Sequence, residues 1–183
     1  MFYSYAWNEG SETFVSKLYD SLKKGGIGVV RDKNDLQYGQ SISEFMRSIG
    51  KGGLIIIALS DKYLKSENCM FEFCEIYRNS KQEMKELRKR VIPVRIENLK
   101  LDDPATVEAY LNYWKEREQQ WKSLVNSHGY NQEQRRRVEA IYNSNKDLLP
   151  LLRDINASSF ELLTQDDFRA NKETIEKRLQ QAH

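Results

Sequence analysis

The sequence predicts an α/β domain, a parallel five-stranded sheet with helices on both faces and an enlarged helical connection before the last strand. Three observations predict it. Short extended runs alternate with amphipathic helical stretches through the first half of the chain, the grammar of a sheet built from strand–helix–strand units. One of those runs, Leu54-Ile55-Ile56-Ile57-Ala58-Leu59, is continuously apolar, as a strand buried on both faces must be. Beyond residue 100 or so the pattern turns polar and purely helical, so an extra connection intervenes before the fold closes.

Taken in order, Phe2–Tyr5 is the first strand. Phe14, Leu18 and Leu22 fall on one face of a helix from about Ser11 to Lys24, which Gly25-Gly26 stops. Ile27–Val30 is the second strand. After Asp32 a polar loop from Lys33 to Gln40 leads to Ser41-Ile42-Ser43-Glu44, whose serine-to-glutamate spacing is a capping box for a helix carrying Phe45, Met46 and Ile49. Gly50, Gly52 and Gly53 end that helix, and Leu54–Leu59 is the central strand. Ser60–Ser66 then leads into a helix carrying Glu72 that is expected to continue to about Arg90.

Val91–Ile96 is the fourth strand, and Pro93 argues for a place near the sheet edge or at a strand start. In the connection, Tyr110, Tyr113, Trp114, Trp121 and Leu124 form a stripe whose helical spacing points to packing more than to a cofactor box. Arg135-Arg136-Arg137 reads as a solvated helix face, diluted by Glu133 and Glu139. Phe160–Leu163 is a candidate fifth strand, and Gln165–Gln181 a closing helix with Phe168, Ile175 and Leu179 inward. The expected organisation is one domain: core elements over 1–99, the connection over about 100–155, and a closing strand and helix over about 158–181.

Composition excludes several functions. The 183 residues carry 29 basic and 27 acidic side chains, a formal charge of only +2, which creates no field for nucleic acid or a membrane surface. No apolar run is long enough to span a bilayer, and the amino terminus lacks a basic-then-apolar signal pattern. Cys69 and Cys74, five apart in one helix, lie on different faces and do not suit a mutual disulfide, so a cytoplasmic location is expected. His128 and His183 have no metal-ligand spacing to those thiols, and neither a metal nor a resident cofactor is expected.

Glu72 is the residue that stands out. It lies on the shoulder of the apolar stripe of Cys69, Phe73 and Ile76, where a carboxylate costs free energy and its pKa becomes sensitive to its surroundings. The bland alternative is a helix-edge glutamate snorkelling to water. Ligands of open parallel sheets collect beyond the carboxyl ends of the strands. There the chain offers Tyr5, Ala6, Trp7 and Asn8 after strand one, Asp32 to Gln40 after strand two, and the start of the Glu72 helix, with Asn68 and Cys69, after strand three. Two aromatics, Gly39 and one half-buried carboxylate suit a planar, partly cationic ligand. A phosphate-binding glycine fingerprint is absent, because Gly25-Gly26-Ile27-Gly28 precedes a strand instead of opening a helix. A cysteine–histidine dyad has nothing to position His128, and a phospho-accepting receiver domain would need an acidic pair where this chain has Ala6-Trp7.

Three boxes carry a family resemblance. Met1-Phe2-Tyr3-Ser4-Tyr5 is similar to a hydrophobic strand ending in Ser-Tyr. Arg31 to Gly39 is similar to a BB loop with its aspartate, leucine and glycine. Leu59 to Phe73 is similar to a serine-rich approach followed by a Trp-Cys-Leu-x-Glu-Leu type helix start. In that order and spacing, the chain resembles a bacterial TIR (Toll/interleukin-1 receptor) domain of the NAD-cleaving type, over nearly its whole length. The resemblance implies a flavodoxin-like fold and NAD+ as substrate. It implies Glu72 as the catalytic residue and a substrate site formed by Tyr5, Ala6, Trp7, Asp32, Leu36, Gly39, Asn68 and Cys69. Tyr5 and Trp7 would line the base or ribose pocket; Asp32, Leu36 and Gly39 would belong to a loop that gates the site and mediates self-assembly with other TIR domains. The implied activity is that of an NAD+ glycohydrolase or ADP-ribosyl cyclase in bacterial anti-phage defence. A non-catalytic TIR interaction module is the alternative. Two departures stand out: Asn68 holds the place usual for tryptophan four before the glutamate, and Tyr38 that of the loop proline. Strand one begins with almost no lead-in, which leaves open whether the chain is cut from a longer protein with a sensor or effector domain.

Overall fold

In the computed structural model, residues 2–6, 9–27, 30–31, 53–154, 158–159 and 169–181 are described. Their strands are β1 (Phe2–Tyr5), β2 (Val30–Arg31), β3 (Ile55–Leu59), β4 (Val91–Arg95) and β5 (Ser158–Ser159). The helices are α1 (Glu9–Lys24), α2 (Asp61–Lys65), α3 (Glu67–Asn79), α4 (Met84–Arg90), α5 (Pro104–His128), α6 (Gln132–Asp154) and α7 (Arg169–Gln181).

The strands pair in the order β2-β1-β3-β4-β5, all parallel. The three inner strands carry the long ladders, from Phe2↔Ile55 to Tyr5↔Ala58 and from Ile55↔Val91 to Leu59↔Arg95. The chain runs outward from β1 to β2 and then crosses back to β3, so the order reverses between β1 and β3, the point where such sheets form a ligand crevice.

Alternation along the strands divides the core in two. Tyr3, Tyr5, Ile56, Ala58 and Val94 face one side, where Phe14, Leu18 and Leu22 of α1 and Ile175 of α7 cover them. Ile55, Ile57 and Leu59 face the other, against α2, α3, α5 and α6. Every residue of β3 is buried, as its unbroken apolar run requires. The predicted stop of α1 is a left-handed turn: Gly26 has φ of +75°, and the amide of Ile27 reaches back to the Leu22 carbonyl at 3.1 Å.

Two expectations need correction. The helix bearing Glu72 does not run on to Arg90. It ends at Asn79, and Lys81 and Gln82 both adopt positive φ, at 57° and 56°, before α4 begins. No glycine or proline signals that break; it is held by Ser80, whose hydroxyl returns to the Ile76 carbonyl at 2.8 Å, and by Arg90, which donates to Ser80 Oγ at 3.0 Å. The segment Ser60–Ser66 contains a helix of its own, α2, because Ser60 caps it by accepting from the Tyr63 amide. Strand β4 lies near the sheet edge, as Pro93 suggests, one place in from β5, with described pairing to β5 only beyond the proline, at Val94 and Arg95. Of the second strand, Val30 and Arg31 are described as strand and Ile27 is not part of it, while residues 28 and 29 lie outside the described residues.

The capping-box helix after Ser41 and the strand at Phe160–Leu163 lie outside the described residues, as do the side chains of Phe168 and Leu179. Both α5 and α6 lie in the expected connection. Asp103 opens α5 by accepting from the Thr106 amide at 3.1 Å, and Gly129, with φ of +63°, closes it. Of the aromatic stripe, Tyr110 and Trp114 are buried and Tyr113 and Trp121 pack at the margin, but Leu124 is 38% exposed. Trp114 fixes α5 to α2 by donating its indole N–H to the Leu64 carbonyl at 2.9 Å.

Candidate active site

Glu72 is no helix-edge residue: only 4% of its surface is exposed. The helix that carries it starts at Ser66, whose hydroxyl accepts from the Cys69 amide at 3.3 Å. From that cap, Cys69, Met70, Phe73 and Ile76 pack under the sheet, and Glu72 is drawn in with them.

A carboxylate at such depth needs donors. Ser4 supplies one, donating Oγ–H to Glu72 Oε2 at 2.5 Å. Ser4 in turn lies 2.8 Å from the hydroxyl of Tyr63. A serine hydroxyl has one proton, and with that proton committed to Glu72, Tyr63 must be the donor to Ser4. The direction is therefore Tyr63 to Ser4 to Glu72. Burial, reinforced by the negative charge of Glu72, pushes the Tyr63 hydroxyl well above the usual phenol range, so the phenol stays protonated as this chain requires. The three residues come from β1, the middle of α2 and the middle of α3. Ser4, paired with Ile57 across the β1–β3 boundary, links the carboxylate to the place where the strand order reverses.

The predicted site residues separate. Ala6 is buried on the Glu72 side of the sheet, with its carbonyl accepting from the Ser11 hydroxyl. Cys69 is also buried there. Tyr5 is not beside Glu72. Strand alternation turns its ring to the opposite sheet face, among Phe14 and Leu18, with its hydroxyl 3.5 Å from Glu12 Oε1. Asn68 points from the first turn of α3 toward α6, where Arg137 Nη2 donates to its Oδ1 at 2.8 Å. Trp7, Asp32, Leu36 and Gly39, along with Asn8, lie outside the described residues.

Ser4 and Tyr63 were not singled out from the sequence. The available signal was the period of two in strand one, which sets Ser4 opposite Tyr3 and Tyr5 and makes it the polar residue facing the Glu72 side. The arginine run departs from the expected solvated face as well: Arg136 is exposed, but Arg137 lies over the Phe71 ring at 4.8 Å. A groove of about 560 Å³ between α2 and α5, lined by Asp61, Lys65, Asp103, Thr106, Tyr110 and Glu116 among others, contains none of the predicted site residues. Both cysteines are buried and form no disulfide, and desolvation pushes the Cys74 thiol up to about 12, which leaves it unreactive. Among the described residues no helix is long and apolar enough to cross a membrane.

Comparison with known proteins agrees with this architecture. A family model described as "TIR domain" matches residues 1–125. TMV resistance protein N of Nicotiana glutinosa is 31% identical over 77 residues, 42% of this chain and 7% of that protein, so the match spans under a tenth of its relative. The TIR domains in the structure of the activated Roq1 resistosome directly recognizing the pathogen effector XopQ superpose with a TM-score of 0.57 at 24% identity, over 97% of both chains. At that identity the likeness concerns the fold.

Proposed function

The chain belongs to the TIR-domain family, and from that premise we propose that it cleaves the nicotinamide–ribose bond of NAD+, with Glu72 as the catalytic carboxylate. One observation carries the reading: a buried glutamate held by Ser4 at 2.5 Å beside the strand-order reversal. A structural role alone would be filled more cheaply by an apolar residue, since burying a carboxylate carries a large desolvation cost.

The chemistry follows from the substrate. Nicotinamide is bound to ribose as a cationic ring and departs neutral, so its loss needs no acid and leaves positive charge on the ribose ring. A carboxylate in a site shielded from water stabilises that charge, and one held by Ser4 is oriented before the reaction begins. Water arriving at the anomeric carbon gives ADP-ribose; a hydroxyl or ring nitrogen gives a conjugate or a cyclic isomer. Attacking water or a hydroxyl loses its proton, which in this proposal passes to Glu72; a ring nitrogen attacks through its lone pair and carries the positive charge into the product. The proposed substrate contacts also include Trp7 and the loop carrying Asp32, Leu36 and Gly39.

The proposed setting is the cytoplasm, where reduced thiols such as Cys69 and Cys74 persist, in a bacterial anti-phage defence response triggered through a sensor or effector partner. The resistance named in the tobacco relative supports a role in immunity. Self-assembly with other TIR domains is part of the same proposal. A second reading, a non-catalytic assembly module, draws on Asn68, which bonds Arg137 where the family's tryptophan would line the pocket.

Incubating concentrated wild-type protein and Glu72→Gln with NAD+, then resolving products by chromatography and mass spectrometry, separates the two. The catalytic reading expects nicotinamide from the wild type and a loss of about 10²- to 10³-fold, roughly 2.7–4 kcal/mol, in the variant. No release from concentrated wild type, with a crowding agent to force assembly, would favour the module.

A further inference from the structure

We propose that the α5–α6 hairpin sets the position of Glu72 by gripping the first turn of α3, and that Arg137 is the positioning residue of that grip. The proposal rests on the catalytic role of Glu72 proposed above.

The grip closes on itself. Glu67, the first residue of α3, receives donors from both arms of the hairpin: Arg117 Nη2 and, at 3.3 Å, Trp121 Nε1 from α5 reach its Oε1, while Gln134 Nε2 from α6 reaches its Oε2. Arg137 joins the next residues. Its Nη2 donates to Asn68 Oδ1 at 2.8 Å, its Nη1 to Gln134 Oε1 at 3.2 Å, and its guanidinium lies 4.8 Å from the centre of the Phe71 ring. Gln134 is thereby fixed in orientation, its amide nitrogen on Glu67 and its oxygen on Arg137. Asn68, Phe71 and the Gln134–Glu67 bond all meet at one guanidinium.

Rigid helical geometry carries the hold to Glu72. Asn68 and Glu72 stand four residues apart, one turn along the same face, so a tilt or slide of the first turn displaces the carboxylate with it. Its partner does not follow: Ser4 belongs to β1, pinned between neighbours in the sheet. The Ser4–Glu72 bond at 2.5 Å sits at the short end of hydroxyl hydrogen bonds, and a displacement of about 1 Å would break it. Misplacement on that scale can cost about a hundredfold in rate. Because the guanidinium uses both prongs and its flat face, lysine cannot replace it in full.

Arg137→Ala and Arg137→Lys test this through the kcat and KM of NAD+ cleavage, paired with amide hydrogen exchange. The expected result for Arg137→Ala is a kcat at least tenfold lower with KM within twofold of wild type, partial recovery in Arg137→Lys, and faster exchange over residues 70–73 but not over β4. An unchanged kcat, a change in KM alone, or equally faster exchange in β4 would overturn the proposal. If wild type releases no nicotinamide, the catalytic reading fails and exchange alone decides: acceleration over 70–73 upholds the grip on α3, and no change overturns it.

Discussion

Ser4 and Glu72, 68 positions apart in the chain, share a hydrogen bond of 2.5 Å that ties the second-face side of β1 to the centre of α3. A bond from a hydroxyl to a buried carboxylate contributes about 1.5–3 kcal/mol. On the proposed chemistry, Ser4→Ala lowers the rate of nicotinamide release by about 10- to 100-fold, while Ser4→Thr, which keeps the hydroxyl on a β-favouring side chain, stays near wild type. Steady-state assays of the three proteins check it, and a Ser4→Ala rate equal to wild type would remove Ser4 from the site.

Asn145 marks a cost inside the hairpin. It is fully buried on the core-facing side of α6, along with Val138, Ile141 and Leu148, and neither its Oδ1 nor its Nδ2 has a hydrogen-bond partner among the described residues. Buried amide groups left in this way cost about 1–3 kcal/mol. Asn145→Leu, of similar volume, is expected to raise the melting temperature by several degrees, read by calorimetry. A lower melting temperature would contradict the assignment of Asn145 as a destabilising residue.

Trp114 secures the hairpin to the rest of the domain. Its ring is buried in the larger core cluster and its indole N–H satisfies the Leu64 carbonyl. Removing it forfeits packing and strands that carbonyl, so Trp114→Ala should cost about 3–5 kcal/mol in urea unfolding. A loss under about 1 kcal/mol would mean that α5 does not depend on this anchor.

Alkaline pH should unfold the protein in a predictable window. Cys74 has its thiol raised to about 12 by burial, from an ordinary value of 9.0. The folded state therefore keeps a proton that the unfolded chain releases above pH 9, so its contribution is intact below pH 9 and fades as pH rises toward 12. Tyr63, raised well above 10.0 by burial and then by Glu72, adds a second loss beginning near pH 10. Each group contributes up to about 1.4 kcal/mol per pH unit within its window. Urea midpoints between pH 8 and 10 should fall more steeply for wild type than for Cys74→Ala; equal slopes would exclude the thiol as a source.

Local sequence was sufficient for whatever is settled within one element or between neighbours along the chain. The apolar run of β3, the spacing of Phe14, Leu18 and Leu22, the glycine stop after α1 and the inward pull on Glu72 act over a few residues, because burial periodicity and capping are short-range effects. The same logic failed at Lys81 and Gln82, where the break in the helix depends on Arg90 reaching back to Ser80, a contact ten residues long. It failed again at Arg137, whose neighbours Asn68 and Phe71 belong to a helix 66 or more positions earlier. The place of Tyr5 in the chain groups it with Glu72, yet the sheet's pleat sends its ring to the α1 face and gives the Glu72 side to Ser4. Which donor meets the glutamate was decided by tertiary structure alone: parallel register sets Ser4 against Ile57, packing brings α3 beneath them, and only then are the two side chains within reach.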